Sequence, residues 1–306
     1  MSRVRHIVAF SGGKDSSALA IYLHNPEHWR RALGKKCDAP REPLYEAEYV
    51  FCDTGTELAE TYDYLDRLEA YLGKPIERLR TKVPPSKPGE DEKTPFDHYL
   101  TVYRGLLPSP NARWCTRMLK LKPFEAYIGD DPVINYVGIR ADEHREGYIS
   151  TKPNITSVFP FREDGIVKED VYRILEDSGV GVPEYYAWRS RSGCYFCFFQ
   201  RKSEWVGLME NHPSLFQKAK EYEKFNPEME ERYTWSDAES LDELARPKRV
   251  TEIKQKVEER RARLRSKKSR LLILRDDLLE ERDVWQEWDE IRDLEDSSVG
   301  CNICHL

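Results

Sequence analysis

The chain has 306 residues, enough for one large hydrophobic core or two modest ones, and 39% of them are hydrophobic and 34% charged. That balance suits a globular protein with much exposed helix, and no apolar run of about eighteen residues exists to cross a membrane as a helix. A net charge of −6 gives no overall signal for nucleic acid, and an odd count of seven cysteines argues against a disulfide framework.

The opening residues carry too short an apolar run for a secretory leader, so a cytoplasmic location is the default expectation. "HIVAF" (6–10) predicts a strand that ends at Ser11-Gly12-Gly13, and "SALAIYLHNPEHW" predicts a helix after it. "EAEYVFCDTG" (46–55) reads as a second strand ending in a turn. "ELAETYDYLDRLEAYLG" (57–73) has helical spacing and a terminal Gly73. "PIERLRTKV" predicts a third strand, and residues 84–111 a long loop with one short helix at "PFDHYLTVY". "VINYVGIRADE" (133–143) is another strand leading into a polar turn. Strands alternating with helices predict an α/β, Rossmann-like parallel sheet covered on both faces.

From Lys168 onward the pattern is helical: "KEDVYRILEDSG", "KSEWVGLMENH" and "PSLFQKAKEYEKF". Residues 246–275 hold thirteen Lys/Arg against three Glu, whereas 276–296 hold eleven Asp/Glu against two Arg. The expected organisation is a nucleotide-binding α/β domain over 1–165 and a helical extension over 166–245. A charged helical hairpin with a cysteine-containing tail follows over 246–306.

"FSGGKDSS" (10–17) sits between the first strand and the first helix. A Walker loop needs Gly-Lys-Ser/Thr with an earlier glycine; here Gly13-Lys14 is followed by Asp15 and that earlier glycine is missing. Glycines that admit backbone N–H groups, a helix N-terminus and the Ser11, Ser16 and Ser17 hydroxyls still suit a phosphate. A capped turn, with Asp15 as the capping residue, is the plain alternative.

The Ser-Gly-Gly-x-Asp-Ser pattern resembles the signature of the PP-loop ATP pyrophosphatases. "VFCDTGTELAETYDYL" and "VGIRADEHRE" are similar to the phosphoadenosine-phosphosulfate reductase branch, and the matches span residues 1 to 205. The resemblance implies ATP and Mg²⁺ as ligands, attack at the α-phosphorus, and AMP and pyrophosphate as products. It places Ser11, Gly12, Gly13, Lys14, Asp15 and Ser16 on the pyrophosphate, with Asp15 also near Mg²⁺. Asp53, Thr54 and Gly55 fall near the nucleotide, and Arg140 on the charge that develops at phosphorus. Lys14, Asp15 and Arg140 are the expected catalytic groups, with Arg145 a weaker choice. Glu57 and Thr61 match the branch equally well as helix-capping residues.

Cys115 in "RWCTRMLK" precedes Cys194 and Cys197 of "RSGCYFCFF", with Cys115 and Cys194 79 positions apart. This resembles the [4Fe–4S] arrangement of adenylyl-sulfate reductases, except that Trp114 replaces the first cysteine of their pair. Thiolates at CxxC spacing suit iron–sulfur or Zn²⁺. Four outcomes stay open: a three-cysteine cluster with a free iron position, a cluster borrowing Cys301 or Cys304, a zinc site using both CxxC pairs, or no metal. Cys52 reads as a small core residue and Cys37 as a loop residue. The tail "GCNICHL" lacks the Glu-Cys-Gly-Ile/Leu-His motif of the sulfonucleotide reductases, which argues against straightforward reduction.

The basic 246–275 segment suits a DNA or RNA backbone, or pairs with the acidic 276–296 segment as a hairpin, the preferred reading. The loop, the cysteines and the basic block together resemble the DndC- and SspD-like proteins of DNA phosphorothioation. That resemblance implies substrate adenylation in a sulfur-transfer pathway, with a cysteine desulfurase or other modification-complex proteins as partners. An adenylyl-sulfate or phosphoadenylyl-sulfate reductase, and a non-catalytic nucleotide-binding partner, are the alternatives.

Overall fold

The computed structural model describes residues 3–35, 41–85, 93–144, 150, 152–223, 225–226, 231–236 and 239–272. Five strands form one parallel sheet: β1 (Arg5–Phe10), β2 (Glu48–Cys52), β3 (Ile76–Leu79), β4 (Val133–Tyr136) and β5 (Ile155–Val158). Their order is β3-β2-β1-β4-β5, so the chain reverses its direction of travel between β1 and β4. In open α/β sheets the crevice at such a reversal, beyond the carboxyl ends of the strands, is where ligands bind. Phe10 lies opposite Phe51 across β1 and β2, and Val8 opposite Tyr136 across β1 and β4.

Side chains alternate faces along a strand, and here both faces are apolar. Val8, Phe10, Tyr49 and Phe51 join the core that packs against α1 (Lys14–His24), α2 (Ala59–Leu72) and α3 (Lys168–Asp177). Ile7, Ala9, Val50 and Cys52 face the other way, onto Phe124 and Ile128. Double burial explains why "HIVAF" reads as continuous apolar sequence instead of alternating. The expected parallel α/β sheet is present. β5 is an addition to the sequence reading: "ITSV" is short, polar in the middle and at the sheet's edge, so backbone pairing with β4 makes it a strand.

The helix expected within 84–111 spans Pro95–Val102; Thr94 accepts from the Asp97 amide at 3.1 Å and its own amide donates to Asp97 Oδ2 at 3.0 Å. It buries Phe96 and Leu100 in a second core built largely from aromatic rings. α4 (Lys202–Asn211) and α5 (Pro213–Tyr222) close that core, as their helical patterns predict. Trp235 stacks on Phe196 with ring centres 5.0 Å apart, and Trp205 is fully buried beside it. A ring of that size removed from water stabilises by about 2–3 kcal/mol.

α6 (Pro247–Leu272) carries most of the basic segment and begins with proline at its first turn, where no amide partner is lost. Its first turns spend charge on the body of the protein. Arg249 pairs with Glu239 at 2.8 Å and Lys254 with Glu210 at 2.5 Å. The acidic 276–296 segment, and with it the proposed hairpin, lies outside the described residues, as do Cys37, Arg145, Cys301 and Cys304.

Candidate functional site

The loop after β1 lies at the strand-order reversal and is buried throughout, from Ser11 to Ser17. Gly12 has φ +74°, and a Cβ there would come within 2.6 Å of Thr61 Cγ2, so only glycine makes this turn. Ser16 Oγ lies 3.3 Å from Ser11 Oγ, and Ser17 Oγ donates to the Gly13 carbonyl at 2.8 Å. Gly13, the residue before α1, caps the helix with no side-chain bond. The capped-turn reading of Asp15 therefore fails: Asp15 lies inside the first turn and spends its carboxylate elsewhere.

Asp15 Oδ1 accepts from Arg140 Nη1 at 2.8 Å, and Asp15 Oδ2 lies 3.4 Å from Lys14 Nζ. Arg140 follows β4, so this contact joins two motifs 125 residues apart across the β1/β4 crevice. Asp142 at 3.0 Å and Glu143 at 3.4 Å also face the Arg140 guanidinium. Burial by itself lowers its pKa, but the three carboxylates outweigh burial and raise it. The guanidinium stays charged. Gly138 makes the close approach possible, since a Cβ there would sit 2.9 Å from the Asp15 carbonyl oxygen.

The second turn follows β2. Asp53 Oδ1 accepts from the Gly55 amide and from the Tyr62 hydroxyl, each at 2.8 Å, while Asp53 Oδ2 pairs with Arg80 at 3.0 Å. Thr54 Oγ1 donates to Glu57 Oε1 at 2.7 Å, and the Thr56 amide donates to Glu57 Oε2 at 3.1 Å. Glu57 does not cap α2; its carboxylate closes the turn instead. Burial pushes its pKa up, and the neighbouring Asp53 charge adds to the rise. Thr61 does not cap the helix either: it is 1% exposed, lies against Gly12, and its hydroxyl has no hydrogen-bond partner among the described residues.

The three cysteines come from two distant parts of the chain. Cys115 sits in the helical turn Trp114–Thr116, which runs into a π-helical stretch at Arg117–Leu121. Cys194 and Cys197 share a tight turn in which the Cys197 amide donates to the Cys194 carbonyl at 3.0 Å. Thr54 Oγ1 lies 3.2 Å from Cys194 Sγ, and the Tyr195 amide donates to the Thr56 carbonyl at 2.9 Å. The cysteine turn and the nucleotide-side turn are therefore in direct contact. Burial pushes the Cys194 thiol up to about 11, and raises Cys115 further, with Cys194 and Cys197 adding to that rise.

The thiols are neighbours without being a ligand set, because no three His, Cys, Asp or Glu side chains stand close enough to hold a metal ion among the described residues. Trp114, which takes the place of a further cysteine, is a core residue whose ring stacks on Phe96 and Tyr103. Cys52 is the buried strand residue the sequence suggests; burial pushes its thiol up to about 12 and it donates to the Lys120 carbonyl.

The structure also brings in residues that no local motif marks. Tyr185 donates to the Gly12 carbonyl at 2.5 Å, and the Lys14 amide donates to the Tyr186 hydroxyl at 3.1 Å. Both tyrosines lie in a 3₁₀ turn at Glu184–Ala187, some 170 positions after the loop they touch. Only their place just upstream of the CxxC turn hints at a role.

Comparison with known proteins places these features in a family. The family model for the phosphoadenosine phosphosulfate reductase domain matches residues 5–197. An uncharacterised protein of Methanocaldococcus jannaschii is 29% identical over 69% of this chain, which spans only 40% of that relative's length. An uncharacterised 37.8 kDa protein of Escherichia phage 186 is 28% identical, over 72% of this chain and 74% of its own. Among solved structures, a phosphoadenylyl-sulfate reductase from Candida auris in complex with phosphate aligns at TM-score 0.42 and 13% identity, covering 63% of this chain and 82% of its own. The U34-tRNA thiolase NcsA of Methanococcus maripaludis with its [4Fe–4S] cluster aligns at TM-score 0.34 and 13% identity, covering 72% and 71%. The matched span contains the loop, both turns and all three clustered cysteines, and the chain belongs to the phosphoadenosine phosphosulfate reductase domain family, a nucleotide-binding family of sulfur enzymes.

Proposed function

We propose that the protein is an ATP pyrophosphatase that adenylates a substrate, releasing pyrophosphate, in a sulfur-transfer pathway that modifies nucleic acid. The Asp15–Arg140 contact carries this reading, because it holds two cations and a carboxylate at the N-terminus of α1 before any nucleotide arrives. Ser11, Gly12, Gly13 and Ser16 supply backbone and hydroxyl donors to the β- and γ-phosphates. Lys14 and Arg140 exchange Asp15 for phosphate oxygens, and Arg140 meets the charge that develops on the α-phosphate. Asp15, released from both cations, is the residue that would hold Mg²⁺, which supplies further neutralisation of the polyphosphate. Asp53, Thr54 and Gly55 border the crevice on the β2 side and position the adenosine part.

Cys115, Cys194 and Cys197 are the residues that would hold an iron–sulfur cluster or Zn²⁺. The pattern offers three sulfurs, with Trp114 stacked in the core, but among the described residues these side chains do not stand close enough to form a ready ligand set. Such a group supplies soft sulfur chemistry next to Thr54. Iron and sulfide analysis of anaerobically purified protein tests this, with about stoichiometric zinc and no sulfide as the contrary result. The basic face of α6 offers a contact for DNA or RNA phosphates, and partners such as a cysteine desulfurase follow from the same pathway.

The enzymatic test is incubation with ATP and Mg²⁺ alongside candidate acceptors. AMP and pyrophosphate support the proposal; ADP and phosphate contradict it. The family match favours one second reading, reduction of adenylyl sulfate or its 3′-phosphorylated form, in which a thiol donor supplies two electrons and sulfite leaves the nucleotide.

A further inference from the structure

Three hydroxyl oxygens converge on Gly13. A Cβ built there would lie 2.8 Å from Ser192 Oγ, 3.0 Å from the Tyr186 hydroxyl and 3.3 Å from Ser11 Oγ. Only Ser11 belongs to the loop motif. The other two come from the segment that leads into the CxxC turn.

Ser192 is the informative one. It is 8% exposed, and its hydroxyl points at the loop. Tyr186 is 4% exposed and its oxygen accepts the Lys14 amide at 3.1 Å. That amide belongs to the first turn of α1, whose N–H groups have no partner within the helix and commonly meet anions. The Lys14 ammonium lies 5.3 Å from the centre of the Tyr186 ring.

The mount for these hydroxyls is stiff. Tyr185 stacks on Tyr186 with ring centres 5.1 Å apart and anchors to the Gly12 carbonyl. Arg189, fully buried, donates to the Gly193 carbonyl at 3.0 Å and the Cys194 carbonyl at 2.7 Å, which fixes the backbone just after Ser192. Ser192 and Tyr186 are thus held against the loop before a ligand arrives, as a binding wall requires.

We propose that Ser192 and Tyr186 form the second wall of the phosphate cradle and donate their hydroxyls to the pyrophosphate end of a nucleoside triphosphate. The ligand class follows from the groups gathered at this helix N-terminus: three hydroxyls and an ammonium suit a multiply charged, oxygen-rich group. This inference rests on reading the Ser11–Ser16 loop as the pyrophosphate site. It adds that the site is completed by residues just upstream of Cys194, so the phosphate pocket and the cysteine turn share one rigid segment.

The test is calorimetric titration of the full chain with inorganic pyrophosphate and, separately, AMP, for wild type, Ser192→Ala and Tyr186→Phe. Each variant should bind pyrophosphate about tenfold more weakly, the loss expected for one hydrogen bond to a charged group. Binding of AMP should stay at the wild-type value in both variants, and the unliganded melting temperature should stay there in Ser192→Ala, which a merely structural role would not leave untouched; Tyr186→Phe also frees the Lys14 amide, so it is judged by pyrophosphate against AMP binding. Wild-type pyrophosphate affinity in both variants, or tighter binding by Tyr186→Phe, overturns the inference and leaves the loop reading intact. A wild-type protein that binds AMP but no pyrophosphate overturns the loop reading and this inference with it.

Discussion

The phosphate crevice and the cysteine turn touch through Thr54 and Cys194, yet they are built on opposite principles. Around Asp15 the structure gathers charge: Lys14 and Arg140 are buried with it, and Asp142 and Glu143 face Arg140 from the network's outer edge. Around Cys194 and Cys197 it gathers rings, with Phe96, Phe196, Tyr222 and Trp235 packed together. A charged network prepares a site for polyphosphate and cannot relax without leaving a buried ion unpaired. An aromatic shell excludes water and holds thiols neutral, consistent with the raised Cys115 and Cys194 pKa values. The two regions should therefore fail in different ways.

The largest effect is expected from Asp15→Ala. It leaves Arg140 and Lys14 without their shared partner, so turnover of ATP should fall by at least about a hundredfold. Stability should drop by about 3 kcal/mol, since a buried cation loses a carboxylate. Turnover assays and denaturant melts of the same preparation check both numbers. Next comes Trp235→Ala, which empties the centre of the aromatic core and should cost about 3–5 kcal/mol. Its signature is selective: hydrogen exchange should rise in α4 and α5 while β1 and β2 stay protected. Equal loss of protection in the sheet would show that the two regions fold as one unit and break the contrast.

The smallest expected effect lies at the base of α6. The hydrogen bond from Arg249 lowers the Glu239 pKa, with Lys202 adding to it, to about 2 from an ordinary 4.5. A carboxylate lowered on folding stabilises at pH above its unfolded value, and that stabilisation is lost as pH falls from 4.5 toward 2. Glu239→Gln should cost about 1 kcal/mol at pH 7, because the pair is partly exposed. The cost should vanish near pH 2. Melts across that range would show the two curves converging; a constant offset would remove Glu239 from the account.

How much of this was legible in the sequence differs between the same two regions. "FSGGKDSS", the Asp-Thr-Gly turn and Arg140 are short motifs at strand ends, and parallel strands bring their ends together by construction. Asp15 against Arg140 could thus be anticipated from order alone. Glu57 and Thr61 were ambiguous because capping and turn-closing use the same residue types at the same spacing, and only the contacts with Thr54 and Gly12 decide between them. The cysteine spacing announced a cluster of thiols but not its geometry, which depends on helical turns at Trp114–Thr116 and Arg117–Leu121. Tyr186 and Ser192 left no mark, because a hydroxyl aimed at a distant loop has no periodicity to reveal it.

The central claim is that the loop directs cleavage to the bond between the α- and β-phosphates of ATP. It is tested most directly by running the reaction in ¹⁸O-labelled water without an acceptor and following the label by ³¹P NMR. Attack at the α-phosphorus places the label in AMP and leaves pyrophosphate unlabelled, which is the predicted result. Label in orthophosphate, with ADP as the other product, would contradict it.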